Sequence, residues 1–517
     1  MAAILALFGR CFLTGPVLFG KLKLVIKKLS FLSPTFFLLL SAVLAVILRL
    51  PSLFDPYWYV DEGVYLTGGQ IIRKGLTLYR DFYDNKPPLI YFAAALAPDQ
   101  FWWRLLGIVL ALCAVYLFYR LAKLLLKNSR AVSVATVLFS LLWNLPYLEG
   151  HTVNAEHFFV PLGFLALLFA LKKTGHLSRD LIFSGILFSL GFLFKFHSFF
   201  DLLSLAYFWL LLREPKLSFS YLFTTVKNLL LIGLGFAVPL ILSVVYFFFR
   251  GELAGYWKAA FAGNFDYAVR WRPILPSFLM ALGAETMKGR LLILAIILVG
   301  LFFLRKKFSP SALFISVWLL FNLFGTLLSG REYPHYLLTS VPPTVLLLSL
   351  LFFGLWRERG LALSFIGLVI GSILAFHFYF YPSLSYYSNF ISLVRGQESR
   401  FTYAQNNFGW TTGRNLQIAD YIKQRTVKTD RIFILSDQPH LYALTDRIPG
   451  VPYLFIFQMN DLHREEVAMK TLQENPPKMI VTFADEPRTL PGFTDLLASR
   501  YQLSTSINDA IVYELTD

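Results

Sequence analysis

Charge is scarce in this sequence. Of its 517 residues only 15% are Asp, Glu, Lys or Arg, against about 25% in an ordinary soluble domain, so a single soluble globule is excluded. Cysteine is almost absent. Cys11 and Cys113 are the two, both in apolar stretches, which argues against a disulfide framework, and no spacing resembles a zinc site. No internal repeat and no low-complexity tract is visible. The first twenty residues lack a basic leader and are broken by Arg10 and Pro16. Residues 1–30 therefore read as an interfacial segment rather than a cleaved signal peptide.

What the chain has instead is apolar length. It is 56% apolar and 17% aromatic, and runs near 20 apolar residues, enough for a bilayer core of about 30 Å, recur at 31–50, 101–122, 131–147, 157–172, 180–194, 200–212, 228–249, 290–304, 311–328, 336–355 and 361–381. The net charge of +16 is not a nucleic-acid signal. From Arg400 onward there are 12 basic and 14 acidic residues, which leaves 35 basic and 17 acidic among the apolar spans. There they set topology and meet lipid head groups. Lys21, Lys23, Lys27 and Lys28 precede the first span, and every second joint thereafter is basic. That pattern predicts a multi-pass cell-membrane protein with a cytoplasmic N-terminus and, for an odd number of spans, an extracytoplasmic tail.

The expected architecture is an α-helical polytopic membrane protein of about eleven transmembrane helices with a small C-terminal extracytoplasmic α/β domain. Residues 31–385 form the membrane domain, 386–414 a linker, and 415–517 the soluble domain. The last is read from helical spacing at 415–426 and 461–474 and from strands RIFILSD, KMIVTF and AIVYEL. Residues 51–100 are a long first outer loop. Within it Pro87-Pro88 starts a helix too short to cross a bilayer.

Four outer clusters can carry chemistry. Asp61 and Glu62 lie about ten residues past the first span, where a partly desolvated carboxylate suits a general base; alternatively both simply end a helix in water. In YRDFYDNKPPLIY (79–91), Arg80, Asp81, Asp84 and Lys86 crowd together, with Lys86 placed to meet a lipid phosphate or to snorkel. In GREYPHY (330–336), Arg331, His335 and Tyr336 sit at an outer span end. Arg331, Lys86, Lys195, Arg270 and Arg272 all run against the positive-inside trend, so they require an anionic partner: a phosphate, or acids of neighbouring loops. In LEGHTVNAEHFF (148–159), Asn154, Glu156 and His157 form a polar rim or a capped helix entrance. Their spacing, with His151, matches no metal motif, although a divalent cation remains compatible with the chemistry.

Together DEGVYLTGGQIIRKGLTLYRDFYDNKPPLIYF (61–92), NAEHFFVPLGFLALLFAL (154–171), the Lys195 turn and REYPHYLLTSVPPTVLL (331–347) resemble the bacterial ArnT-like and protein-mannosyltransferase-like membrane glycosyltransferases of the glycosyltransferase C superfamily. IADYIKQRTVKTDRIFILSDQPHLYALTDR (418–447) is similar to their soluble tail. The resemblance implies a sugar donor on a polyprenyl phosphate, such as undecaprenyl or decaprenyl phosphate, and a glycan, lipid or protein acceptor. It implies an essential acid at Asp61, Lys86 near the donor phosphate, and Arg331 with His335 and Tyr336 beside it. The 250–289 segment matches no pattern of the group, so Arg270 and Arg272 rest on charge alone. The expected reaction is single-step inverting transfer; the alternative is a transporter or flippase of lipid-linked sugars.

Overall fold

Apolar helices here begin where a small polar side chain can satisfy the unpaired amides of the first turn. Ser33 accepts from the amide of Phe36, Asp99 from Trp102, Asn128 from Arg130, Ser218 from Tyr221, Thr286 from Gly289 and Ser309 from Ala312. A computed structural model describes residues 33–172, 176–264 and 273–516. The interfacial segment expected at 1–30, together with Arg270 and Arg272, lies outside the described residues.

Each of the eleven expected spans falls on a helix. Among the described residues, eight helices are long and apolar enough to cross a membrane. Ser129–Asn144 and Glu156–Leu171 have 16 residues each, about 24 Å at 1.5 Å per residue, short of a full crossing. Phe196–Leu212 is also short. The run expected at 228–249 belongs to a 31-residue helix, Phe219–Phe249. That helix crosses Leu177–Phe194 at two glycines. A Cβ on Gly185 would meet the Ile232 carbonyl oxygen at 2.0 Å, and one on Gly235 would meet that of Ile182 at 2.0 Å. Two backbones approach this closely only over small residues.

The 51–100 segment, expected as a loop, is itself structured. A helix spans Val60–Arg73, and the short helix after the double proline, Leu89–Ala95, packs beneath it. The tail is a five-stranded mixed sheet of β1 (Arg431–Leu435), β2 (Ile448–Pro449), β3 (Met479–Phe483), β4 (Tyr501–Ile507) and β5 (Ala510–Leu515), in the order β2-β1-β3-β5-β4. β1 pairs parallel with β2 and β3, while β5 runs antiparallel to β3 and β4. The 386–414 stretch, expected as a linker, is largely helical: Ser383–Val394 and Arg400–Phe408, pinned when Tyr386 and Tyr403 donate to Asp55 at 2.9 Å each.

The tail docks directly on the 51–100 segment. Gln70 donates to the Ala443 carbonyl at 2.9 Å, Lys74 pairs with Asp446 at 2.5 Å, and the Tyr83 amide donates to the Pro452 carbonyl at 2.8 Å. At the seam Gly63 lies so near His440 that a Cβ there would come within 2.8 Å of its Cα. Burial, then the charge of Arg414, push the His440 imidazole down to about 4, so it is neutral in this seam at pH 7.

Candidate active site

Asp61 and Glu62 occupy the first turn of the Val60–Arg73 helix, where negative charge meets the positive end of the helix dipole. Consecutive helical residues point about 100° apart, and the two carboxylates serve different surroundings. Glu62 is 1% exposed. It accepts from Arg104 Nη2 at 2.8 Å and Nε at 3.0 Å, from Gln100 Nε2 at 3.2 Å and from the Val153 amide at 2.8 Å. Arg104 also meets Asp55 at 3.2 Å. Glu62 is thus the centre of an internal ion network.

Asp61 faces the other way. Its Oδ1 takes a hydrogen bond from Lys86 Nζ at 3.2 Å, and its Oδ2 one from Asn154 Nδ2 at 3.1 Å. Burial pushes its carboxyl up, but the charges of Lys86, His335 and Lys195 outweigh burial and hold it down at about 2. Desolvation was expected to make Asp61 more basic; the neighbouring cations reverse that direction. Lys86 also approaches Asp84 at 3.5 Å and lies 5.1 Å above the Tyr65 ring. Asp84 in turn accepts from the Tyr91 hydroxyl at 2.5 Å.

Asn154 links this pair to a second carboxylate. Its amide nitrogen also donates to the Tyr59 oxygen at 2.9 Å, and its carbonyl accepts from Tyr65 at 2.5 Å. Tyr59 donates to Glu149 at 2.7 Å, and His335 Nδ1 donates to the same carboxylate at 2.6 Å. Burial, then Glu149 and Asp61, raise the Tyr59 phenol well above its ordinary value, so it remains a donor. The polar chain therefore runs from Lys86 through Asp61, Asn154, Tyr59 and Glu149 to His335. Tyr336 touches the His335 ring at 4.6 Å, and its own ring lies 4.5 Å below Lys195, which pairs with Glu156 at 2.6 Å.

Other expected site residues lie elsewhere. Arg331 donates to the Tyr333 hydroxyl at 3.5 Å, and Tyr333 stacks on His335, so Arg331 borders the cluster through one ring. Arg80 and Asp81 pair with each other at 3.0 Å and line a separate cleft of about 300 Å³ with Arg431, Thr471 and Asn475 of the tail. They do not join the Asp61 cluster, because the turn at 77–81 directs them outward. His157 is buried against Trp143 and accepts from the Asn154 amide at 3.1 Å, a capping contact rather than a rim position. Among the described residues no group of three metal-ligating side chains converges.

Sequence reading missed Tyr59, Tyr65 and Arg104. Arg104 carried a signal: an ionisable residue inside an apolar span needs a buried partner. Tyr59 and Tyr65 were hidden among 26 tyrosines.

Residues 85–247 match the family model of dolichyl-phosphate-mannose-protein mannosyltransferases. The chain superimposes on the crystal structure of ArnT from Cupriavidus metallidurans in the apo state with a TM-score of 0.54 at 15% identity, covering 93% of this chain and 98% of that one. The Archaeoglobus fulgidus oligosaccharyltransferase in its apo form gives 0.48 at 12% identity over 87% of this chain and 70% of that one. The Archaeoglobus fulgidus oligosaccharyltransferase AglB, in complex with an inhibitory peptide and a dolichol-phosphate, gives 0.45 at 12% identity over 87% and 69%. No curated protein sequence matches. Both comparisons agree with the resemblance read from the sequence: residues 85–247 match the mannosyltransferase family model, and the chain shares the fold of the ArnT structure.

Proposed function

We propose that the protein is a membrane glycosyltransferase that takes a sugar from a polyprenyl-phosphate donor and places it on an acceptor hydroxyl at the extracytoplasmic face, with inversion. The observation that carries this reading is the contact of Asp61 with Lys86 at 3.2 Å, an acid and a cation sharing one half-buried site beside the membrane helices. In the resting protein Lys86 keeps Asp61 ionised and weakly basic. When a donor phosphate arrives, Lys86 turns to it, and Asp61 gains basicity as its counter-charge leaves. Asp61 then removes the acceptor proton as that oxygen attacks the anomeric carbon. The new C–O bond forms while the bond to phosphate oxygen breaks, and polyprenyl phosphate leaves as an anion.

Stabilising that anion falls to Lys86 and Arg331, with Arg270 and Arg272 as further cations from the 250–289 segment. A lost donor of this kind costs about 3–4 kcal/mol of barrier in other enzymes. Glu156, Lys195 and Tyr336 form the next polar layer. The tail, on the same outer face, closes the site from above through its contacts with the Val60–Arg73 helix.

Purified protein in nanodiscs, supplied with radiolabelled polyprenyl-phosphate sugars and a mixed acceptor, tests this directly. Release of free polyprenyl phosphate together with a labelled product is expected. Movement of intact donor across liposomes without cleavage identifies a flippase and rejects the transferase.

A further inference from the structure

We propose that the aromatic ring of side chains around Glu149 is the seat of the acceptor, a neutral pyranose sugar; this rests on the transferase reading above. Four separate stretches contribute. Ring centroids run from Tyr379 to Tyr381 at 5.7 Å, on to Trp58 at 5.7 Å, to Tyr59 at 5.4 Å, to His335 at 6.4 Å and to Tyr333 at 5.9 Å. Glu149 sits among them, accepting from Tyr59 and from His335, with Tyr381 beside it. Glu149, Tyr59 and His335 are buried and form the floor. Trp58, Tyr333 and Tyr381 are half-buried, and Tyr379 is 39% exposed, so they form an open rim.

A polar floor under an aromatic rim is the shape that holds a sugar. The apolar C–H face of a pyranose lies on aromatic faces, while its hydroxyls bond the polar groups below. Interfacial aromatics such as Trp102, 51% exposed, have no such floor. A carboxylate is also a poor neighbour for acyl chains. Two donors beside the floor are unspent: the Trp58 indole nitrogen and the Tyr147 hydroxyl are buried with no protein partner, and Tyr147 stacks on Phe380 between the two rim tyrosines. Buried donors of this kind call for a ligand or water.

The direction fits as well. Asp61 turns Oδ1 to Lys86 and Oδ2 to Asn154, which leads through Tyr59 to Glu149. A hydroxyl entering from the aromatic ring meets the oxygen remote from Lys86. Glu149 is held by two donors, and the neighbouring Arg331 and Glu332 offset one another in charge. The ring thus offers no net positive charge to an acceptor phosphate, which points to a neutral sugar.

Saturation-transfer NMR with neutral methyl pyranosides, on the full protein in nanodiscs without donor, tests the seat. Signal is expected in the wild type and should fall at least fivefold in a Tyr333→Ala/Tyr379→Ala variant, while the lipid-facing control Trp102→Phe keeps it. With donor present, the same double variant should raise the acceptor KM about tenfold and shift the donor KM less than twofold. No signal in the wild type, an equal signal in the double variant, or an unchanged acceptor KM overturns the proposal. If sugar binding behaves as expected while no lipid-linked donor is ever cleaved, the seat stands and the transferase reading is what fails.

Discussion

The two sides of the first turn of the Val60–Arg73 helix hold the same chemistry in opposite states. On one side Glu62 and Asp55 surround Arg104, and all three side chains are at most 1% exposed. On the other, Asp61 and Lys86 are 26% and 19% exposed and each retains an open approach. A buried ion network of the first kind fixes geometry, and breaking it strands a charge. A partly exposed ion pair can be exchanged for one with a ligand. On the proposed function, adjacent residues thereby separate the task of holding the helix from the task of chemistry, and the rigid half sets the position of the reactive half.

The sharpest way to break this comparison is to remove each charge in turn. Glu62→Gln leaves Arg104 facing one acid, and the expected loss is about 3–5 kcal/mol of stability, read as poor accumulation in membranes and a lowered melting temperature. Asp61→Asn should leave melting within a degree or two of wild type while sugar transfer falls by a factor on the order of a thousand. Swapped outcomes, with Glu62→Gln stable and inactive or Asp61→Asn unfolded, would undo the division of labour.

Lys86 sharpens it next. Lys86→Ala should lower transfer about a hundredfold, and Lys86→Arg should recover part of that, since charge reaches the phosphate with altered geometry. If Lys86→Ala turns over like wild type, the cation of this pair has no catalytic use. A smaller effect is expected where the tail presses on the helix. Gly63→Val drives a side chain into the His440 backbone, which the short His440–Thr445 helix must yield to, at about 1–3 kcal/mol. Hydrogen exchange should then rise across 60–73 and 440–445 together. Exchange confined to the tail would mean that the docking seam does not position Asp61.

The sequence made the membrane part legible because its signals are repetitive. Runs near 20 apolar residues located the eight long apolar helices found among the described residues, and strand-helix alternation located β1, β3 and β5 of the tail. β4 was overlooked because YQLSTSI is an edge strand with polar faces, and the Ser383–Val394 and Arg400–Phe408 helices because short amphipathic segments look like linkers. Within the site, Asp61 and Lys86 were readable as a local pair 25 positions apart. The role of Glu62 was not, because its partner is 42 positions away and nothing in two adjacent acids says which one turns inward. Tyr59 and His335 meet across 276 positions, a distance that no spacing argument bridges.

The smallest expected effect concerns acid. The Asp61 carboxyl lies at about 2, against an ordinary 3.8. Because the folded value is the lower one, the contribution of Asp61 to stability is complete above pH 3.8 and is lost as pH falls toward 2, by at most about 2 kcal/mol. Melting curves should therefore be flat in this group from pH 7 to 5 and drop below pH 4. In Lys86→Met the cation that holds the carboxyl down is gone, so this part of the acid slope should shrink, whereas the Glu62 network is untouched. An acid slope identical in wild type and Lys86→Met would show that Asp61 and Lys86 do not sense each other, and the contrast between the two faces of the helix would lose its reactive half.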